Sequence, residues 1–315
     1  MTFSIIIPVY NRPDEIEELL ESFTHQAYKD FEIVIVEDGS SLPCKHIVEQ
    51  YDDQLAIQYI EKENSGQGFS RNEGFKHAKG EFFILMDSDC LVPKTYLEEV
   101  KEGMNTQNLD AFGGPDRAHE SFTPTQKAIN YAMTSFFTTG GIRDRADALE
   151  RYHPRSFNMG FKKEILDDIG GFKITRMGED IEFSERIIRA GFNVGLIPKA
   201  IVYHKRRTSL RQFAKQLHFF GRARVNIWRF YPDQLKLVHL FPVMFLIGST
   251  VSVVVLLIGI LMNDLALLYA PSVLLIVYLI ILFVDSLMKE KSPKIGLLAV
   301  VASCIQLTSY ALGFL

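Results

Sequence analysis

The last 75 residues constrain this 315-residue chain most: from Phe241 to Leu315 its charged residues are Asp264, Asp285, Lys289, Glu290, Lys291 and Lys294. Three runs there, Phe241–Met262, Leu265–Val284 and Ile295–Leu315, are each 20 to 22 residues long and nearly free of charge. At about 1.5 Å per helical residue, each can cross a hydrocarbon core roughly 30 Å thick. A single such run could be a buried core helix; three in succession predict three transmembrane helices. The three cysteines, Cys44, Cys90 and Cys304, show no metal-ligand or redox spacing and exclude a disulfide scaffold.

Orientation follows from the basic residues beside these runs. Residues 201–236 hold nine Lys or Arg against Asp233 alone, and Lys289, Lys291 and Lys294 separate the second and third runs, whereas only Asn263 and Asp264 separate the first two. Both basic flanks are therefore expected on the cytoplasmic side of a multi-pass inner-membrane protein, with a cytoplasmic N-terminal domain. Residues 1–200 hold 22 basic and 34 acidic residues, so a basic collar joins an acidic body to the first span. Anionic lipid headgroups suit that collar, and nucleic acid is not expected as a partner. The expected division is 1–205 as the N-terminal domain, 206–240 as a basic amphipathic segment and 241–315 as membrane helices.

The N-terminus has no basic lead and too short an apolar run for a signal peptide, which predicts a buried first strand. Phe3–Val9, Phe31–Val36, Leu55–Ile60 and Phe82–Met86 read as buried strands. Helical stretches are expected from Pro13 to about Gln26, near Leu42–Gln50 and over Gln67–Ala78, with another around Thr125–Phe137. Strands alternating with helices predict a doubly wound α/β sheet, Rossmann-like, followed by an all-α membrane region. Residues 115–157 are the least regular part, where Gly140, Gly141, Arg143, Asp144, Arg145 and Asp147 read as a mobile polar loop.

Ligands of open α/β sheets bind at the carboxyl ends of the strands, near the reversal of strand order. There the chain places Tyr10 and Asn11; Glu37, Asp38, Gly39 and Ser40; and Asp87, Ser88 and Asp89. Carboxylates gathered in one crevice repel one another unless they bind cations or hydrogen-bond donors. Asp87 and Asp89, two residues apart in a turn, can present oxygens to one divalent cation. Glu179 and Asp180 open an amphipathic helical pattern, where acids also favour the positive helix start.

Pro8-Val-Tyr-Asn11, Glu37-Asp38-Gly39-Ser40, Gly66-Gln-Gly68-Phe-Ser-Arg71-Asn72-Glu-Gly74, Asp87-Ser-Asp89 and Gly178-Glu179-Asp180 occur in that order. The series resembles the motifs of the family 2 inverting glycosyltransferases over about residues 3–205. The resemblance implies a GT-A fold, a nucleoside diphosphate sugar donor such as a UDP- or GDP-sugar, and Mg²⁺ or Mn²⁺. By it, Pro8, Val9, Tyr10, Asn11 and Asp38 contact the base and ribose, and Gly68, Arg71 and Ser88 lie beside the donor. Asp87 and Asp89 face the ribose and the metal-bridged diphosphate, while Asp180 is the general base with Glu179 next to it. Glu37 departs from the family, which more often has Asp there. His204, after the apolar run Ala200–Tyr203, is either a further metal ligand or a structural histidine.

Retaining transfer stays open on chemistry alone. Over Ser209–Tyr231, Leu210, Phe213, Leu217, Phe220, Ile227 and Trp228 fall near one helical face among basic residues, as in a helix lying in the membrane interface or one packed on the catalytic domain. Processive synthases of the family carry Gln-x-x-Arg-Trp near here; neither Gln212 nor Gln216 begins it, and Trp228-Arg229 is reversed, which argues against a polymer channel. The acceptor is expected to be a lipid-linked glycan, or a polyprenyl phosphate whose oxygen needs less help from a base. A catalytically silent sugar-nucleotide scaffold and a nucleotidyltransferase remain as other readings.

Overall fold

The computed structural model describes residues 1–117, 119, 121–140 and 153–315. It divides into two compact units, Met1–His119 with Ala146–Lys205, and Glu120–Arg145 with Arg206–Leu315.

The first unit is an α/β domain. Its elements begin β1 (Phe3–Val9), α1 (Pro13–Thr24), β2 (Phe31–Asp38), α2 (Lys45–Val48), β3 (Ile57–Lys62), α3 (Gln67–His77) and β4 (Phe82–Met86). They continue with β5 (Cys90–Leu91), α4 (Tyr96–Thr106), β6 (Ala111–Gly113) and β7 (Asp116–Arg117). Two helices of the second unit, α5 (Pro124–Thr134) and α6 (Phe136–Thr139), come next in the chain. The first unit resumes with β8 (Asn158–Lys162), α7 (Ile165–Ile169), α8 (Glu179–Arg189), β9 (Val194–Leu196) and β10 (Val202–His204).

The main sheet runs β3-β2-β1-β4-β8-β6-β9, and β5-β10-β7 form a smaller one. β1 pairs in parallel with both β2 and β4, so strand order reverses beside β1. Ile5, Ile7 and Val9 pack into one core with Leu19, Leu20 and Phe23 of α1, while Ile6 joins Phe83, Phe161 and Phe183 on the other face. A strand buried on both faces thus reads as one apolar run.

The sheet is mixed rather than wholly parallel, because β8 runs antiparallel to both β4 and β6. β8 lacks a clear strand signal because Gly160 interrupts it; a Cβ there would lie 2.1 Å from the Phe112 ring. The helix expected over Leu42–Gln50 shortens to α2 and a 3₁₀ turn at Glu49–Tyr51. The one expected over Thr125–Phe137 breaks at Ser135, whose extended backbone and hydroxyl, accepting from the Phe137 amide, start α6. Gly140 ends α6 in the left-handed conformation; the rest of the loop expected at 140–147 lies outside the described residues.

The second unit is helical and adds α9 (Leu210–Phe230), α10 (Phe241–Met262), α11 (Leu265–Glu290) and α12 (Pro293–Phe314). Three stretches, Leu237–Met262, Ser272–Glu290 and Pro293–Phe314, are helical, long and apolar enough to cross a membrane. α11 does not stop at Val284. Asp285 accepts bonds from the Tyr131 hydroxyl (2.7 Å) and Lys289 (3.0 Å), so the helix carries its charges for another turn and only Lys291 and Ser292 link it to α12. Along α9, Phe213, Leu217 and Ile227 are buried while Trp228 is exposed, so the apolar stripe read as one face does not all meet the same surroundings.

Candidate active site

At the carboxyl end of β2 the polar atoms are filled. Asp38, buried, accepts from Lys62 Nζ (2.7 Å) and from the backbone amides of Ser65 and Gly66 (both 2.9 Å). Burial alone would raise its carboxyl, but the bonds from Lys62, Ser65, Ser70 and Gly66 outweigh this and hold it below the ordinary value. Glu37 accepts from Ser40 Oγ, from the Cys44 amide (2.9 Å) and from the Tyr59 hydroxyl (3.0 Å). Its longer side chain, where the family more often has Asp, spans from the β2 end to the start of α2. Asn11, at φ 53°, takes the Ser41 hydroxyl and the Leu42 amide on its side-chain oxygen and gives its own amide to Ser40. The β1 and β2 loops are therefore stitched together beside Pro8 and Val9, leaving Tyr10 exposed at 53%.

Across the strand-order reversal lies the acid turn. Arg12, in the β1–α1 loop, pairs with Asp89. His204 reaches the same carboxylate from β10, Nε2 to Oδ1 at 3.1 Å, and its Nδ1 lies 3.9 Å from Asp116 on β7. The antiparallel pairing of His204 with Cys90 sets this approach. Asp89, Cys90 and His204 offer ligand atoms within 4.8 Å of one another. Burial, and then the charges of Asp89, Asp87 and Asp116, push the Cys90 thiol far up, so it stays protonated. Asp89 and His204 are thus the donors suited to a divalent cation, the carboxylate as a hard oxygen ligand and the imidazole as one that transition-metal ions accept more readily than Mg²⁺. Ser88 is buried between the two aspartates.

Arg71, on α3 and 1% exposed, joins this turn to the start of α8. Its Nη2 lies 2.7 Å from Asp87 and its Nη1 3.8 Å from Glu179. Its Nε and Nη1 have no hydrogen-bond partner among the described residues. Glu179 also accepts from Gln67. Burial first, then the neighbouring Asp180, raise the Glu179 carboxyl despite Arg71 and Gln67. Met177 (φ 65°) and Gly178 (φ 95°) are both left-handed, and this turn starts α8 at the two acids. A non-glycine residue in that region is uncommon and gathers at functional sites. Asp180 lies 3.6 Å from Arg155. Gly68 has no room for a side chain: a Cβ would sit 2.6 Å from the Ile174 carbonyl oxygen and 3.0 Å from Thr175 Cα.

The expected residues therefore fall into two groups: Pro8, Val9, Tyr10, Asn11 and Asp38 around the β1 and β2 ends, and Asp87, Ser88, Asp89, Arg71, Glu179 and His204 joined by direct or adjacent contacts. Asp180 is tied to Arg155. Sequence reasoning did not single out Arg12, Arg155, Gln67, Lys62 or Asp116. Arg12 had one available signal, its place directly after Asn11.

These features define a GT-A nucleotide-sugar-binding domain. The profile of glycosyl transferase family 2 matches residues 4–170, over half of the chain, and the protein belongs to this family of glycosyltransferases. It is 25% identical over 251 residues to the glycosyltransferase AglE of Haloferax volcanii, covering 78% of this chain and 80% of that one. It spans about a third or less of the length of several further curated relatives. Among solved structures, the mannosyltransferase PcManGT of Pyrobaculum calidifontis, in complex with GDP-Man and Mn²⁺, is similar over 96% of this chain and 86% of that chain at 18% identity, with TM-score 0.67. TarS 1–349 of Staphylococcus aureus, in complex with UDP-GlcNAc, is similar over 72% and 67% at 22% identity, with TM-score 0.51.

Proposed function

We propose that the protein transfers a sugar, with inversion, from a UDP- or GDP-sugar to a lipid-linked glycan at the cytoplasmic face of the inner membrane, where its C-terminal helices anchor it. The observation that carries this reading is the chain of contacts at the strand-order reversal: Arg12 to Asp89, Asp87 to Arg71, and Arg71 to Glu179 beside Asp180. The two guanidinium groups suit a diphosphate, and the Asp87 and Asp89 carboxylates its counter-cation. Pro8, Val9, Tyr10, Asn11 and Asp38 would receive the nucleoside, and Gly68 lets α3 approach closely enough to place Arg71.

Asp180 accepts the proton of the acceptor hydroxyl as its oxygen bonds to the anomeric carbon. The bond from that carbon to the diphosphate oxygen breaks on the opposite face, and nucleoside diphosphate leaves. A divalent cation held by Asp87, Asp89 and His204 would neutralise charge on that leaving group. Glu179, whose carboxyl is raised by burial and by Asp180, positions Arg71 and Gln67. The basic residues flanking the apolar helices support the cytoplasmic orientation.

Arg155 beside Asp180 favours a second reading, in which the acceptor is a polyprenyl phosphate. A phosphate oxygen attacks without giving up a proton, and the guanidinium binds it. The test is nucleoside diphosphate release by the detergent-solubilised protein from a panel of nucleotide sugars with Mn²⁺, for wild type and Asp180→Asn, with and without a polyprenyl phosphate. Release from one donor, lowered about 100-fold or more in Asp180→Asn, supports the hydroxyl acceptor. Release stimulated by the polyprenyl phosphate and kept in Asp180→Asn supports the phosphate acceptor. Donor binding with no release would favour a silent scaffold, and release of pyrophosphate would favour a nucleotidyltransferase.

A further inference from the structure

The three apolar stretches are not alike. Mean hydropathy in their most apolar windows falls from 2.6 to 2.2 to 1.8, while the buried share rises from 6% to 11% to 44%. Exposed apolar residues of α10, such as Met244, Val253, Leu257 and Leu261, point several ways around the helix. Those of α12, Leu297, Val301 and Leu312, fall on one narrow face at about 100° per residue. Its opposite side buries Ser303 and Gln306 with Ala299 and Ala302.

What covers that side is decisive. Ile295, Ala299 and Ala302 share a core with Ile129 and Ala132 of α5 and with Phe213 and Leu217 of α9, joined by Leu282 from the C-terminal part of α11. At the far end, α12 meets α9 backbone to backbone: a Cβ on Gly221 would lie 2.2 Å from the Tyr310 carbonyl oxygen, and one on Gly313 2.0 Å from that of His218. Both ends of α12 are therefore tied to helices outside the apolar stretches. α9 begins five residues after Lys205 and exposes Arg211, Lys215, Arg222 and Arg229. If α12 crossed the bilayer, the part of α9 against its last turn would be carried to the opposite face, taking these side chains through hydrocarbon. Charged side chains at that depth are rare and face a protein interior or water.

We propose that α12 lies along the membrane surface, its narrow apolar face on the lipid and its other side on α5 and α9, so that α10 and α11 alone form a crossing hairpin. The number of crossings is then even, and Leu315 stays on the face that carries the catalytic domain. This rests on the membrane anchoring proposed above. It replaces the three-crossing topology expected from hydropathy, which puts Leu315 on the opposite face.

The test labels single cysteines with a membrane-impermeant maleimide in sealed vesicles of both orientations, in a Cys304→Ser background. Cys44 and Cys90 are buried and stay unlabelled in the folded protein. Lys76→Cys marks the catalytic face, Leu261→Cys the connection between α10 and α11, and Leu315→Cys the end of α12; each wild-type side chain is exposed. The expected result is Leu315→Cys labelled with Lys76→Cys, and Leu261→Cys labelled only from the opposite face. Labelling of Leu315→Cys together with Leu261→Cys from the opposite face overturns the proposal and restores three crossings. Labelling of all three from one face overturns the crossing hairpin itself, and with it the anchoring reading.

Discussion

Asp38 and Asp89 stand at the carboxyl ends of neighbouring parts of one sheet, and both are buried, yet they are held in opposite ways. Asp38 is fixed by two backbone amides and Lys62, all from the β3 end and the turn into α3. Asp89 is met by the ends of two side chains, Arg12 from the β1 loop and His204 from β10. Amides in a packed turn cannot leave without moving the backbone, whereas a guanidinium on a flexible stem can swing away. Backbone therefore takes part in fixing the Asp38 carboxylate, while Arg12 and His204 reach the Asp89 carboxylate with side chains. A site that must accept and release a charged donor needs both.

The sharpest way to break this contrast is Asp89→Asn. Removing a carboxylate from the acid turn is expected to lower kcat/KM at least about 100-fold while leaving the thermal midpoint close to wild type, measured by nucleoside diphosphate release and by melting. An equal loss of stability would make Asp89 part of the scaffold. On the fixed side, Gly68→Ala drives a Cβ into the backbone of Ile174 and Thr175. Strain there is expected to lower stability by about 1–3 kcal/mol, read as a lower midpoint in urea.

The two regions also differ in pH dependence. The folded-state carboxyl of Asp38 lies below its ordinary 3.8, so its stabilising contribution is present above that value and is lost as pH falls through the lower folded value. Asp38→Asn is expected to flatten the acid limb of the stability profile below about pH 4. Glu179 has the opposite sign. Its folded value is raised above 4.5, so the contribution is present below 4.5 and declines as pH rises through the folded value. Relative to wild type, Glu179→Gln is expected to gain stability as pH rises above 4.5, with urea midpoints against pH as the measurement. The smallest effect is expected for Glu37→Asp, where the shorter side chain cannot keep Ser40, Cys44 and Tyr59 together; loss of one bond amounts to about 1 kcal/mol.

Much of the candidate site was legible because buried strands end abruptly. Phe3–Val9, Phe31–Asp38 and Phe82–Met86 are apolar runs whose last residues give way to polar ones, so Asn11, Asp38, Asp87 and Asp89 could be found without knowing the pairing. What stayed hidden depended on contacts between distant segments. Nothing local in Asn158–Lys162 predicts an antiparallel strand between β4 and β6, since Gly160 is there to admit the ring of Phe112. Arg12 has no periodic signal, and its importance comes from Asp89, 77 positions away. Hydropathy found the apolar helices but ran α11 too short, because Asp285 looks unaffordable until Tyr131 and Lys289 are placed beside it. The close contact of Gly221 and Gly313 likewise shows only in three dimensions.

By the proposed function, the acid turn holds the donor diphosphate through a divalent cation while the β2 end keeps the nucleoside end of the site in shape. Calorimetric titration of the donor that supports release, with and without Mn²⁺, into wild type and Asp89→Asn measures this directly. Binding is expected to tighten with Mn²⁺ in wild type and to lose that gain in Asp89→Asn, with the metal-independent part of binding retained. An undiminished Mn²⁺ effect in Asp89→Asn would contradict it.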